Sequence, residues 1–318
     1  TRPRGSRRRR VLAVGAVVLA LVLAWPIGLA LWADSRLEHV DVLTDAADTP
    51  GVTYLLAGSD SRDGAIAEDG TEGARTDTIM LLHDATSGPS ALISLPRDAY
   101  VEIPGNGPNK LNAAYSWGGA PLLVQTVEQL TGLKVDHYVE VGFGGVEGVV
   151  DAVGGVELCY DQVVDEPLSG LVWPEPGCRT VDGATALAFA RMRYADPTGD
   201  IGRGARQQQL ISSLSSSLAD PGVLVDLPAQ VSLARAGTDA LTTSTGTGIV
   251  DLGRLALAFR SATGPGGITG TPYLADLDHR PGGVGSTVLL DDERNPALWE
   301  GLREGSLPAG PVGGLPEG

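Results

Sequence analysis

Between Val52 and Leu290, short apolar runs bounded by turn residues alternate with segments whose apolar residues recur at helical spacing. That alternation restricts the chain to an α/β architecture, with a sheet at the centre and helices packed over it. Val52-Thr-Tyr-Leu-Leu-Ala is apolar apart from Thr53, a run typical of a buried strand. Ile79-Met-Leu-Leu and Ala91-Leu-Ile-Ser-Leu read as two more strands, with Thr86-Ser-Gly-Pro-Ser as the hairpin loop between them. The spacing predicts helices over 121–130, closed by Gly132, and over 143–153 and 182–190, with strands over 135–141 and 156–160. Further helices are expected near 203–218, 224–236, 249–259 and 296–303, and strands over 268–277 and 284–290. The expected fold is a mixed central β-sheet with helices on both faces, one domain over 52–305, followed by a flexible tail over 306–318.

The N-terminal segment carries a membrane signature. Arg2, Arg4 and Arg7 through Arg10 precede an uncharged run, 11–33, that contains Trp25 and Trp32. Such a run is long enough for a hydrocarbon core of ~30 Å, and its arginine flank places residues 1–10 in the cytoplasm and the rest outside. A cleaved signal peptide would have a shorter apolar region ending in a small-x-small site, which Leu31 spoils. One transmembrane helix is therefore expected before the domain, with 34–51, acidic and weakly patterned, as an extracytoplasmic connector. With no initiator Met, residues 1–10 are expected to end a longer cytoplasmic tail.

With a formal net charge of -16, the chain is not expected to bind nucleic acid, which calls for a basic face. Its cations gather instead. Arg191, Arg193, Arg203 and Arg206 fall within one stretch, 191–209, closing one helical pattern and opening the next. Arg203, Arg206 and Gln207 are spaced to share a helical face. Guanidiniums match phosphate oxygens two at a time, so this stretch is a candidate polyanion clamp, with surface salt bridges as the alternative. Asp60 follows the first strand and Asp77 precedes the second. If those strands are antiparallel neighbours, the two carboxylates meet at one sheet edge, where they suit Mg²⁺ or another divalent cation such as Mn²⁺; turn capping is the competing role. Arg97 and Asp98 leave the third strand. Cys159 and Cys178, the only cysteines, flank a Pro/Gly-rich loop and read as a disulfide in an extracytoplasmic domain. The four histidines have no ligand spacing, and no GxSxG, HExxH or Walker loop is present.

Read in order, Leu56-Ala-Gly-Ser-Asp-Ser-Arg62, Arg75-Thr-Asp-Thr78, Ser94-Leu-Pro-Arg-Asp98, Lys110-Leu-Asn-Ala-Ala-Tyr115 and Arg191-x-Arg193 with Asp200-x-x-Arg203-x-x-Arg-Gln207 resemble the LytR-CpsA-Psr family. The resemblance spans about 52–220. It implies an α/β/α sandwich behind a transmembrane helix, and a cell-wall phosphotransferase that moves a glycopolymer phosphate from a polyprenyl-pyrophosphate carrier to peptidoglycan with Mg²⁺ assistance. It implies that Asp60 and Asp77 hold the metal. Arg75, Arg97, Arg191, Arg193, Arg203, Arg206 and Gln207 would surround the pyrophosphate, and a hydrophobic pocket would take the prenyl chain. The cysteine pair resembles members from high-GC Gram-positive bacteria, which points to arabinogalactan or a related polymer as cargo. The hydroxyl proton would pass to Asp98 or to a metal-side Asp. A polyprenyl-pyrophosphate hydrolase and a non-catalytic anchored binding protein or regulator are the competing classes.

Overall fold

The computed structural model describes residues 5–59, 76–192, 195, 206, 209–214, 216–217, 222 and 226–315, with backbone alone at 5–11, 14, 16–21, 59, 77, 143 and 144. Helix α1 (Gly5–Asp34) and strand β1 (Glu38–Val40) come first, then β2 (Val52–Ser59), β3 (Thr76–Asp84) and β4 (Ala91–Leu95). A hairpin of β5 (Tyr100–Ile103) and β6 (Gly107–Lys110) leads into α2 (Leu111–Thr131), β7 (His137–Gly142) and α3 (Phe143–Ala152). Strands β8 (Val156–Tyr160), β9 (Val164–Glu166), β10 (Leu171–Trp173) and β11 (Gly177–Val181) precede α4 (Gly183–Arg191). Then come α5 (Leu227–Asp239), β12 (Leu241–Ser244), α6 (Ile249–Thr263), β13 (Ile268–His279), β14 (Thr287–Leu290), α7 (Asn295–Glu304) and β15 (Gly310–Gly314).

The central sheet runs β1-β12-β7-β2-β3-β4-β13-β14, with β15 also paired to β13. It is mixed. β2 is parallel to β7 and antiparallel to β3, and β4 is antiparallel to β3 and parallel to β13. The apolar run of β2 is explained by its two covered faces. Leu55 and Ala57 lie in the main core with Ile79, Leu81, Ile93 and residues of α2 and α7. Tyr54 points the other way, into a smaller cluster with Leu82 and with Ala258 and Ala262 of α6. Burying a side chain such as Leu55 contributes roughly 1.5–3 kcal/mol over leaving it exposed. A satellite core joins α3 and α4 to β8, β9, β10 and β11 around Trp173 and Phe189.

Several boundaries differ from the sequence expectation, each for a local reason. Helix α2 starts at Leu111, well before 121, because the Gly118-Gly119-Ala-Pro121 breaker bends it without ending it. Gly119 sits at φ 64°, ψ −160° inside the helix. Gly132 closes it in the left-handed conformation, as expected. The β5–β6 hairpin has no counterpart in the sequence reading.

The stretch 34–51, expected as a connector, is built into the fold. β1 pairs in parallel with β12, and Val42 is buried in the main core. Asp34 Oδ1 accepts the backbone N–H of Ile249 at 2.7 Å, capping α6 where its own N-cap, Gly248, has no side chain. Gly310–Gly314, expected in a flexible tail, forms β15 instead, because pairing with β13 needs only backbone and close approach. A Cβ on Gly270 would meet the Val312 carbonyl oxygen at 2.0 Å. Among the described residues no helix is long and apolar enough to cross a membrane. Much of α1 is described by its backbone only, so the anchor expected over 11–33 is taken up below as a proposal.

Candidate active site

Four strand ends and one turn meet at a single edge of the sheet. β2 and β7 run parallel and finish together, Ser59 opposite Gly142. β3 is antiparallel to β2 and starts there, so the Asp77 backbone lies at the edge where β2 ends at Ser59, the residue before Asp60 in sequence. The two strands are thus the antiparallel neighbours that the sequence reading made its condition. The register also slips at this edge. Gly58 pairs with Thr78 and Ser59 with Thr76, leaving Asp77 as the extra residue of a β-bulge. Beside it Thr76 Oγ1 is buried without a hydrogen-bond partner among the described residues. β4 ends at Leu95 opposite Ile79, which carries Arg97, two residues on, to the Asp77 side of the edge. Asp60 and Arg75 lie outside the described residues, and Asp77 is described by its backbone.

The turn after β4 is tied tightly to the start of α2. Asp98 divides its carboxylate between two cations, Oδ1 taking Lys110 Nζ at 2.8 Å and Oδ2 taking Arg97 Nε at 3.4 Å. The backbone repeats the link, with Leu111 N–H on the Ala99 carbonyl at 2.8 Å and Asn112 N–H on the Arg97 carbonyl at 2.9 Å. Further along α2, Tyr115 Oη donates to Glu140 Oε1 at 2.8 Å, while Tyr138 Oη donates to Oε2 at 2.6 Å. Burial, then the adjacent Glu140 charge, pushes the Tyr138 phenol far above its usual range. The structure thus brings together Arg97, Asp98 and the Asp77 backbone.

The arginine stretch is only partly described. Asp182 caps α4 through Thr185 N at 2.9 Å, and Arg191 closes that helix half-buried. Arg206 is 4% exposed, and its Nε donates to the Phe189 carbonyl at 3.1 Å and its Nη2 to the Met192 carbonyl. A helix leaves its last carbonyls unpaired, and a cation there also complements the helix dipole. Arg206 therefore supports the end of α4 that carries Arg191. Arg193, Arg203 and Gln207 lie outside the described residues. Glu166, from the β9–β10 hairpin, accepts Ala195 N–H at 2.8 Å and holds the chain just past Arg191. Glu140 and Glu166 were not identified from sequence. Glu140 stood in an expected strand, 135–141, and Glu166 in the Pro/Gly-rich loop between the cysteines, and neither place singles out a carboxylate.

Cys159 and Cys178 are disulfide-bonded across the directly opposed strands β8 and β11. Among the described residues no group of three or more His, Cys, Asp or Glu side chains is arranged to hold a metal. A groove of 490 Å³ lies between residues 41–44 and α2, lined in part by Val42, Leu43, Pro121 and Leu122. His83 is buried, its Nδ1 3.0 Å from Thr53 Oγ1 and its Nε2 without a hydrogen-bond partner among the described residues, and burial holds its pKa below the usual value.

Residues 32–262 match the model of the LytR_cpsA_psr family. "Probable cell wall biosynthesis protein LcpB" of Corynebacterium glutamicum is 40% identical over 94% of this chain and 75% of its own length. The "Polyisoprenyl-teichoic acid--peptidoglycan teichoic acid transferase TagU" of Enterococcus faecalis is 35% identical over 67% of each chain. Among solved structures, Bacillus subtilis TagV superposes with a TM-score of 0.57 at 25% identity, over 82% of this chain and 98% of TagV. The LytR-Csp2A-Psr enzyme of Actinomyces oris gives 0.60 at 20% identity, over 84% of this chain and 96% of its own, a likeness of fold.

Proposed function

The chain belongs to the LytR_cpsA_psr family, and from that premise we propose that it transfers a glycopolymer phosphate from a polyprenyl-pyrophosphate carrier to a hydroxyl of peptidoglycan. The observation that supports this reading is the sheet edge where β2 ends at Ser59, β3 begins with the Asp77 bulge, and β4 ends two residues before Arg97. The TagU relative, named as a transferase of teichoic acid to peptidoglycan, supports the reaction class.

In the proposed step the acceptor oxygen attacks the phosphorus that bears the glycan. The bond from that phosphorus to the bridging oxygen breaks, and polyprenyl monophosphate departs. The hydroxyl proton passes to a carboxylate at the edge, Asp98 or a metal-side Asp. Two carboxylates, with water and substrate phosphate completing the shell, are a donor set that Mg²⁺ takes. Asp60 and Asp77 would hold it, and bound there it would supply charge neutralisation for the phosphoryl oxygens. Arg75, Arg97, Arg191, Arg193, Arg203 and Gln207 orient the pyrophosphate and stabilise the leaving group. We assign Arg206 to holding α4 beneath Arg191, since two of its donors are engaged by that helix.

The domain acts outside the cell, held at the membrane by the uncharged run 11–33, with residues 1–10 on the cytoplasmic side. The experiment is transfer by the purified full chain, given a polyprenyl-pyrophosphate glycan, peptidoglycan fragments and Mg²⁺. Polyprenyl monophosphate together with glycan covalently joined to peptidoglycan is the expected result. Phosphoglycan released to water at the same rate with and without acceptor would make the protein a hydrolase. No turnover of the carrier would leave it a binding protein.

A further inference from the structure

We propose that the Tyr115–Glu140 hydrogen bond is a positioning device that holds the first segment of α2, and with it Arg97, against the sheet edge. The proposal rests on reading that edge as the pyrophosphate site. Glu140 is 9% exposed, paired with Ala57 of β2, on a sheet face otherwise lined by Leu55, Ala57, Ile79 and Tyr138. A carboxylate there is costly unless it is fully hydrogen-bonded. An aliphatic side chain would fill the same place without that cost, so the packing does not account for a charge.

What the charge does follows from the bend in α2. At Gly119 the backbone leaves helical geometry, so the segment from Leu111 to Gly118 is not held in line by the longer half of the helix. That first segment, with Lys110 just before it, ties the Arg97 turn three times, by Lys110 on Asp98, Leu111 N–H on Ala99 and Asn112 N–H on Arg97, while β14 holds the far side of the turn through Val288 N–H on the Asp98 carbonyl at 2.9 Å. Tyr115 is its polar attachment to the sheet, and the attachment point on β7 lies two residues from Gly142, where β7 and β2 finish side by side. Tyr138 occupies the other oxygen of Glu140 from β7 itself. It stabilises the carboxylate without reaching α2, so the two phenols have separable roles.

The test is Tyr115→Phe beside Tyr138→Phe in the full chain, each also built on Arg97→Ala. Hydrogen exchange at Leu111 and Asn112 reports the tether without reference to activity. Tyr115→Phe should speed exchange at those two amides by about tenfold, and Tyr138→Phe should leave them unchanged while lowering Tm. Transfer by Tyr115→Phe should fall roughly tenfold in kcat with KM little changed, since misplacing an orienting group costs rate. On the Arg97→Ala background the same substitution should cause no further loss. Unchanged exchange at Leu111 and Asn112, or equal losses in both backgrounds, overturns the proposal. A wild-type chain that transfers nothing, with the exchange difference intact, overturns the functional reading and keeps the tether.

Discussion

Arg206 donates through Nε to the carbonyl oxygen of Phe189 at 3.1 Å, from a side chain that is almost wholly buried. The contact gives Arg206 a structural role, because removing it strands carbonyls at the end of α4. Arg206→Lys is expected to cost about 1–3 kcal/mol, the usual consequence of leaving buried polar groups unpaired. Urea denaturation should register the loss before any kinetic assay is attempted. A variant as stable as wild type would return Arg206 to the pyrophosphate clamp.

Arg203 tests the clamp itself. Arg203→Lys keeps the charge and removes the fork, so transfer should fall on the order of a hundredfold at unchanged stability. Arg254→Lys is the control, since among the described residues Arg254 pairs with Asp251 one turn away on the surface of α6, and such pairs are worth ~0–1 kcal/mol. Equal rates in the two variants would make Arg203 an ordinary surface cation.

Asp77→Asn preserves shape and removes charge at the bulge. We expect Mg²⁺-dependent transfer to drop by on the order of a hundredfold or more and the melting temperature to hold, as a bulged edge residue carries little packing. Full Mg²⁺-dependent activity in this variant would place the metal elsewhere.

The disulfide closes a sequence separation of 19 residues. Reducing it, or replacing both cysteines with Ser, should lower unfolding stability by about 2–4 kcal/mol. Comparison of denaturation curves with and without reductant checks this, and coincident curves would contradict it.

His83 predicts the direction of acid sensitivity. Burial depresses its folded-state pKa, and burial acts on His137 in the same way. Above the unfolded value of about 6.5 both states are neutral and the full stability is present. As pH falls through that value the unfolded chain binds protons that the folded chain refuses, so stability drops. For His83 the limiting slope is about 1.4 kcal/mol per pH unit. Unfolding measured from pH 7.5 to 5.5 should show this drop, and His83→Gln should make it shallower.

Much of the frame was legible because burial on two faces leaves an unmistakable apolar run, as in Val52-Thr-Tyr-Leu-Leu-Ala, and because Gly132 and Asp182 are strong helix punctuation. β1 escaped notice because three residues are too short to show a period against the acidic background of 34–51. β15 escaped because Gly and Pro composition reports on side chains, whereas a parallel ladder is made of backbone. At the site, Arg97 and Asp77 could be placed once strand direction was known. The roles of Glu140 and Glu166 could not, since a carboxylate in a strand says nothing of the phenol or amide that reaches it from elsewhere in the chain.

The slip at Gly58 and Ser59 has an evolutionary consequence. Side chains in a strand alternate sides, so losing one residue at 76–78 would heal the ladder while redirecting everything upstream of the repair. Under the proposed function, such a deletion would give a more regular sheet and a protein unable to transfer glycan. Lineages that keep such a reaction would then have to preserve an irregularity that folding alone would discard. Length variation in relatives should be free in the surrounding loops and forbidden across these three positions.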